Sequence, residues 1–129
     1  MPDPLIVVDT SKVHEGKLEE VRAGVAELVE FVETNEPEPL AYNIYFDEEG
    51  TTMTVVQAHP SSESFERHME VAGPVFRRFT DLVTLSRVDF YGKPSGAALE
   101  QMRQKAKLLG SATVAVNDLQ AGFTRLGAG

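Results

Sequence analysis

The sequence predicts an α+β protein in which helices cover one face of an antiparallel sheet. Two features support this prediction. Residues 5–92 alternate between short apolar runs and longer segments with helical periodicity, in the order strand, helix, strand, strand, helix, strand. That order is the ferredoxin-like βαββαβ pattern. The 129 residues are the usual length of one domain, and a hydrophobic share of 42% is sufficient for a core.

The first strand and the first helix come from residues 5–34. Residues 5–9 form an apolar run rich in branched side chains, which is typical of a buried strand. In residues 15–34 the apolar side chains recur at three- and four-residue steps, which indicates an amphipathic helix that ends before the prolines of residues 35–39. Gly24 interrupts this helix, and we expect close packing against the sheet to be the reason.

Residues 40–59 predict a β-hairpin. The runs 40–47 and 51–59 are joined by the short polar loop 48–50, which contains a glycine. Apolar side chains occupy both faces of these strands, whereas a sheet with one solvated face alternates more cleanly. We therefore expect the second face to be covered, and a second subunit is the simplest candidate.

The second helix follows the hairpin directly. Ser61 or Ser62 is expected to cap its N-terminus. Gly73 and Pro74 are expected to break it, so that a new short helix begins at the proline. Residues 82–92 predict the strand that closes the βαββαβ unit.

Residues 93–129 form a C-terminal extension beyond the domain of residues 1–92. Ser95 is expected to cap a further helix and Gly110 to end it. Residues 112–116 then predict one more short strand or a tail. We expect this extension to pack on a dimer.

Composition and charge narrow the classes of function. The chain has no cysteine, so it has no disulfide, thiolate metal site or cysteine nucleophile. The net charge is −8, and residues 1–50 hold 13 acidic and 3 basic residues, which disfavours binding to nucleic acid. No leader segment or membrane-spanning run is visible, so we expect a cytoplasmic protein without a membrane partner.

Two of the three histidines are predicted to meet in one pocket. His68 lies on the apolar stripe of the second helix, and His59 ends the strand before it. On that strand Gln57 shares the parity of His59, so both are expected to face the helices if Val55 does. An imidazole with a pKa near neutrality suits a general base. The alternative is a pair of histidines hydrogen-bonded at a helix–strand junction. Two histidines without a third ligand do not predict a metal site.

Four further side chains are candidates for contact with a substrate. Phe65 shares the helix face of His68. Tyr42 and Asn43 lie on opposite faces of their strand, and the sequence does not decide which face looks toward the pocket. Arg87 lies among apolar residues in the closing strand, where it would bind an anionic ligand or pair with a glutamate of a second subunit.

The chain resembles the antibiotic biosynthesis monooxygenase family over about residues 5–92. Four segments carry the resemblance. They are the first helix with its glycine-lysine start, the glutamate-proline turn before a tyrosine-bearing strand, the third strand that runs into the histidine-bearing helix, and the closing strand. These segments are HEGKLEEVRAGVAELVE, NEPEPLAYNIYFDEEG, TVVQAHPSSESFERHM and VDFYG. At the end of the third strand the family usually has a glutamate and an aromatic residue, where this chain has Gln57 and His59.

The resemblance implies a dimeric α+β barrel, in which two sheets pack face to face and each subunit has a pocket between its own sheet and helices. It also implies a monooxygenase without metal, flavin or other cofactor, acting on an electron-rich polycyclic phenol or hydroquinone. His68 or His59 would be the base, and Gln57 and Tyr42 would orient the substrate ring. Because the chain has no tryptophan, the haem degradation of some family members is not implied.

Two other classes of function remain open from the sequence. One is a homodimer that binds a small apolar or aromatic molecule without catalysis. The other is a homodimer with a pocket filled by side chains and another protein as its partner. A cavity beside His59 and His68 would distinguish these classes from each other.

Overall fold

The computed structural model describes residues 4–125 and confirms the predicted α+β fold. The first strand is longer than predicted, because residues 10–13, of which the first three are polar, also pair with neighbouring strands. A 3-10 turn, Arg77–Phe79, follows the second helix. The elements are β1 (Leu5–Val13), α1 (Leu18–Asn35), β2 (Ala41–Phe46), β3 (Thr52–His59), α2 (Ser62–Phe76), β4 (Val83–Tyr91), α3 (Gly96–Leu109) and β5 (Thr113–Asn117).

The strands form one sheet in the order β2-β3-β1-β4-β5. The first four strands pair antiparallel, and β5 joins β4 in parallel. The central strand β1 brings Val7 opposite Gln57 on one side and opposite Phe90 on the other. The register therefore places the end of β3, which carries Gln57 and His59, beside the start of β1.

The helices cover one face of the sheet, and the core lies between these two layers. Alternate residues of β1 and β3 face this layer and are buried, whereas most of the residues between them are half-buried on the other face. Gly24 of α1 is buried, and a Cβ atom there would lie 3.0 Å from Phe79 Cε1. The expectation of close packing is confirmed, but the partner is the 3-10 turn and not the sheet.

Helix α2 continues through Pro74, so the predicted break at Gly73 is wrong. The residue before a proline is normally kept out of helical conformation by a clash between its Cβ and the proline ring. Gly73 has no Cβ, which relieves that clash. Ser61 caps the helix as predicted, since its side chain accepts a hydrogen bond from Ser64 N.

The C-terminal extension joins both layers of the same chain. Helix α3 begins after the N-cap Ser95, packs against α2 and ends at Gly110, which has φ +141°, and β5 extends the sheet beyond β4. The predicted cap, helix end and strand are confirmed. Within residues 4–125, no helix has both the length and the apolar character that crossing a bilayer requires.

Gly110 gives a test of the turn that joins the extension to the sheet. A Cβ atom at this position would lie 2.9 Å from Thr84 Cγ2 and 3.1 Å from Leu85 O, in a backbone conformation that favours glycine. We expect Gly110→Ala to lower the free energy of unfolding by about 1–3 kcal/mol in urea denaturation. The matched control Gly96→Ala, where a Cβ meets nothing within 4 Å, should not destabilise the protein.

Candidate functional site

A cluster of buried polar side chains lies where the end of β3 meets α1 and α2. The side chains of Gln57 and His59 point from β3 toward the helices, and both residues are fully buried. His68 of α2 is also fully buried, and Glu36, the residue after α1, is nearly so. The imidazole rings of His59 and His68 are 5.9 Å apart, so the sequence-predicted meeting of the two histidines is confirmed.

His59 uses both ring nitrogens within the cluster. Its Nε2 donates to Gln57 Oε1 over 2.8 Å, because a carbonyl oxygen only accepts. Its Nδ1 then accepts from Ser64 Oγ over 2.7 Å. Burial, with a smaller contribution from the nearby His68, lowers the pKa of His59 to about 3. His59 is therefore neutral near pH 7 and is poorly suited to take a proton.

His68 differs, because one of its ring nitrogens is free. Its Nδ1 donates to the carboxylate of Glu36, at 2.9 Å from Oε1 and 3.0 Å from Oε2. A carboxylate partner on Nδ1 fixes the tautomer and leaves the lone pair on Nε2. His68 Nε2 is buried and has no hydrogen-bond partner within residues 4–125. This arrangement is that of a general base held by a carboxylate.

Gln57 Nε2 is a second unpartnered atom of the cluster, and it is a donor whereas His68 Nε2 is an acceptor. With its Oε1 bound to His59, Gln57 Nε2 is a buried donor that has no acceptor within residues 4–125. Buried polar atoms without partners are uncommon, and a ligand is one of the groups that satisfies them. The cluster therefore contains an unpartnered donor on Gln57 and an unpartnered acceptor on His68.

Aromatic rings surround His68. The ring centroids of Tyr42, Phe76 and Phe65 lie 5.0, 5.7 and 6.3 Å from that of His68. Phe65 also contacts His59, with centroids 5.6 Å apart and the rings nearly perpendicular. These rings and the neighbouring side chains close both histidines to solvent. The expected hollow shared by the two imidazoles is thus filled by packed side chains.

A cavity of about 30 Å³ lies on the other side of two of these rings. Tyr42 and Phe76 contact His68 and also line this cavity, together with Asp9, Ser11, Lys105 and apolar core residues. Neither histidine lines it. A volume of this size accommodates a water molecule but not a polycyclic substrate.

Tyr42 also borders the protein surface. It lines two grooves between α1 and β2, with volumes of about 420 and 430 Å³, and Glu36 lines the first of them. Burial, with contributions from the charges of Asp9 and Glu36, raises the pKa of the Tyr42 hydroxyl, so it is protonated near pH 7. Tyr42 is the side chain that separates His68, the internal cavity and the surface grooves.

Two of the candidate residues lie away from the cluster. Asn43 faces the opposite side of the strand from Tyr42 and is exposed at the rim of the grooves. The half-exposed Arg87 forms two hydrogen bonds of 2.7 and 2.9 Å with Asp89 on its own strand, a partner that was not among those predicted from the sequence. A register shift opposite Thr10 and Ser11 turns Arg87 outward.

Two residues of the cluster, Glu36 and Ser64, were not among those predicted from the sequence. Glu36 belongs to the glutamate-proline turn, which was noted only as a sign of family resemblance. Ser64 is four residues before His68, a spacing that places both on one helix face. Within residues 4–125 no group of three His, Asp or Glu side chains is arranged to hold a metal ion.

Comparison of the sequence with protein-family models found no match, and comparison with curated proteins also found none. Comparison with solved structures found several. SnoaB from Streptomyces nogalater, a cofactor-independent oxygenase, aligns with a TM-score of 0.61 at 16% identity, over 72% of this chain and 95% of that one. A candidate antibiotic biosynthesis monooxygenase from Bacteroides thetaiotaomicron aligns with a TM-score of 0.56 at 20% identity, over 65% and 84%. This chain has the fold of the antibiotic biosynthesis monooxygenases.

One neighbour with this fold also shares the C-terminal extension. MupZ from Pseudomonas fluorescens aligns with a TM-score of 0.74 at 18% identity, over 95% of both chains. Coverage of 95% extends well beyond Gly92, so MupZ has counterparts for most of α3 and β5. At these identities the likeness of all three neighbours concerns the fold, and the ferredoxin-like architecture predicted from sequence is confirmed.

The pKa of His59 predicts how stability depends on pH. The folded protein keeps His59 neutral down to about pH 3, whereas its ordinary pKa of 6.5 applies in the unfolded chain. Between these values the unfolded chain binds a proton that the folded protein does not, so this group makes stability fall as the pH is lowered from 6.5. The slope from this group approaches about 1.4 kcal/mol per pH unit.

Urea denaturation between pH 4.5 and 7 measures this slope. We expect His59→Asn to be less stable than the natural sequence at pH 7, and its stability to fall less steeply below pH 6.5. Equal slopes in the two proteins would contradict a buried, neutral His59.

Proposed function

We propose that this protein is a cofactor-independent monooxygenase that oxidises an electron-rich polycyclic phenol or quinol, with His68 as the general base. The observation that carries the proposal is the buried Nε2 of His68, which has no hydrogen-bond partner within residues 4–125 while Glu36 holds the other ring nitrogen. The name of SnoaB, a cofactor-independent oxygenase with the same fold, supports this class of reaction.

The proposed reaction begins with a proton transfer. The lone pair of His68 Nε2 takes a proton from the substrate, and the amide of Gln57 donates a hydrogen bond to the oxygen that becomes negative. The substrate anion is a far better electron donor than the neutral phenol or anthrone. The apolar rings of Tyr42, Phe65 and Phe76 exclude water from this step.

The remaining steps balance without a metal or flavin. The anion gives one electron to O2, and the substrate radical and superoxide combine to form a carbon–oxygen bond. The proton held on His68 passes to the resulting peroxide, which loses water and leaves a carbonyl group. With anthrone as substrate, one anthrone and one O2 give one anthraquinone and one water.

Access to His68 requires movement of Tyr42. This ring packs against His68 and lines the internal cavity and both surface grooves. Rotation of Tyr42 toward the grooves would join these spaces into a pocket of several hundred Å³, the size that suits a ligand of three fused rings. Asn43, at the rim of the same grooves, would then contact the outer part of the substrate.

A binding protein without catalysis is the second candidate function. The observation that favours it is the pair of surface grooves lined by Tyr42 and Asn43, which would hold a ligand without exposing either buried histidine. Such a protein would bind an anthrone without consuming oxygen.

Oxygen uptake with an anthrone such as dithranol distinguishes these two functions. We expect turnover by the natural sequence, and a loss of about 100-fold or more in kcat/KM for His68→Ala, because a positioned general base contributes that much. Added imidazole should restore part of the activity. His59→Asn should lose about tenfold, since His59 positions Gln57 but takes no proton.

Two controls sharpen this experiment. Circular dichroism and thermal unfolding should show that each variant is folded. Glu36→Gln keeps the size of the side chain but weakens the hold on His68, so the pH–rate profile should change as well as the rate. Full turnover in a His59→Ala/His68→Ala double variant would remove both histidines from the mechanism.

We also propose that the protein is a homodimer that pairs through the uncovered face of the sheet. Ile6, Val8 and Val56 are half-buried there, with Val8 and Val56 paired across the two central strands. Tyr45 of β2 is 54% exposed and Tyr91 of β4 is 45% exposed, which gives an apolar surface suited to an interface.

Sedimentation velocity tests the homodimer. We expect a dimer at micromolar concentration, and a monomer for Val56→Lys, because an ammonium group at the centre of the apolar face resists burial. The control Ala23→Lys, on the exposed side of α1, should remain a dimer. A stable monomer of the natural sequence would overturn the proposal.

A further inference from the structure

The C-terminal extension places a cation inside the protein. Lys105 of α3 reaches the layer between sheet and helices, and its side chain is only 10% exposed. Its Nζ lies 3.6 Å from Oδ2 of Asp9, a residue of β1 whose side chain is 2% exposed. Nothing in the proposed proton transfer uses either of these charges.

This ion pair is incompletely satisfied. A separation of 3.6 Å is longer than a hydrogen bond, and Asp9 Oδ2 has no hydrogen-bond partner within residues 4–125. The ammonium also lies 4.2 Å from the centroid of the Phe76 ring, which attracts it without accepting an ordinary hydrogen bond. A buried pair of this kind normally has further hydrogen bonds that offset the cost of desolvating the charges.

The cavity of about 30 Å³ borders both members of the pair. A group in that space next to both charges has to accept from the ammonium and donate to the carboxylate. A hydroxyl group or a water molecule does both, whereas a carboxylate would be repelled by Asp9 and an amine by Lys105. The two charges therefore suit a neutral group that both accepts and donates, either a hydroxyl group of a ligand or a water molecule.

We propose that Asp9 and Lys105 form a subsite that binds a hydroxyl group of the substrate, so that the extension supplies a specificity-determining residue. The proposal rests on the proposed function for the identity of the ligand as a polycyclic phenol. Tyr42 and Phe76 lie between this subsite and His68, since both rings contact His68 and line the cavity. A ligand with two hydroxyl groups at opposite ends would then reach Gln57 and His68 with one and the ion pair with the other.

Three naphthalene ligands test the subsite by binding alone. They are 2,6-dihydroxynaphthalene, 6-methoxy-2-naphthol, which accepts but does not donate at the second position, and 2-naphthol, which lacks the second oxygen. Their fluorescence gives Kd under argon, where no oxidation occurs. We expect the dihydroxy compound to bind about tenfold more tightly than either of the others, because hydrogen bonds to charged groups contribute this much.

A charge-free variant completes the test. Asp9→Asn/Lys105→Met removes both charges at nearly constant volume, a kind of change that buried ion pairs often tolerate. We expect the three Kd values to become equal within about twofold. The control Lys107→Met, at an exposed position of the same helix, should keep the tenfold preference.

Each outcome decides the proposal. Equal binding of the three ligands by the natural sequence, no binding of any of them, or a preference that survives in the double variant would overturn it. If the double variant does not fold, the comparison of the three ligands on the natural sequence still decides. Oxygen uptake with dithranol is measured separately, so loss of turnover with a retained preference would contradict the monooxygenase and not the subsite.

Discussion

Glu36 follows the first helix and His68 lies near the middle of the second, and their contact ties both helices to one end of the sheet. Each group is nearly closed to solvent, so each depends on the other for the interactions that water would otherwise provide. Removing one partner of such a contact leaves the other buried without its hydrogen bond, which costs about 1–3 kcal/mol or more. The same contact fixes the imidazole tautomer, so the structural requirement also determines which nitrogen is free for chemistry.

The interior contains two groups of polar side chains, the cluster around His68 and the ion pair of Asp9 and Lys105. Aromatic rings lie between the two groups. At the end of β3, Gln57 Nε2 and His68 Nε2 have no hydrogen-bond partner in the part of the chain that the structure describes, and at the centre of β1 Asp9 meets Lys105. A core selected only for stability would not leave such atoms without partners. Tyr42 and Phe76 stand between the two groups and border the cavity. The shape of any bound molecule therefore depends on how far these two rings move.

The C-terminal extension adds a helix to the helical layer and a strand to the sheet, and it also places a charge in the core. Helix α3 places Lys105 in the core, and β5 covers the edge of β4 that would otherwise have free hydrogen-bonding groups. The alignment with MupZ spans the extension, whereas those with SnoaB and the Bacteroides protein cover 72% and 65% of this chain. The alignments with SnoaB and the Bacteroides protein therefore leave more than a quarter of this chain without a counterpart.

The sequence by itself determined the order of the elements, the antiparallel hairpin and the meeting of His59 with His68, because the periodicity of apolar side chains reports which residues face the core. Only the tertiary structure decided what these residues touch. It turned Arg87 outward through a register shift, left Asn43 at the rim, and carried Glu36 and Lys105 into the interior from distant segments. Such placements depend on the packing of whole elements, on which the local pattern of a sequence carries no information.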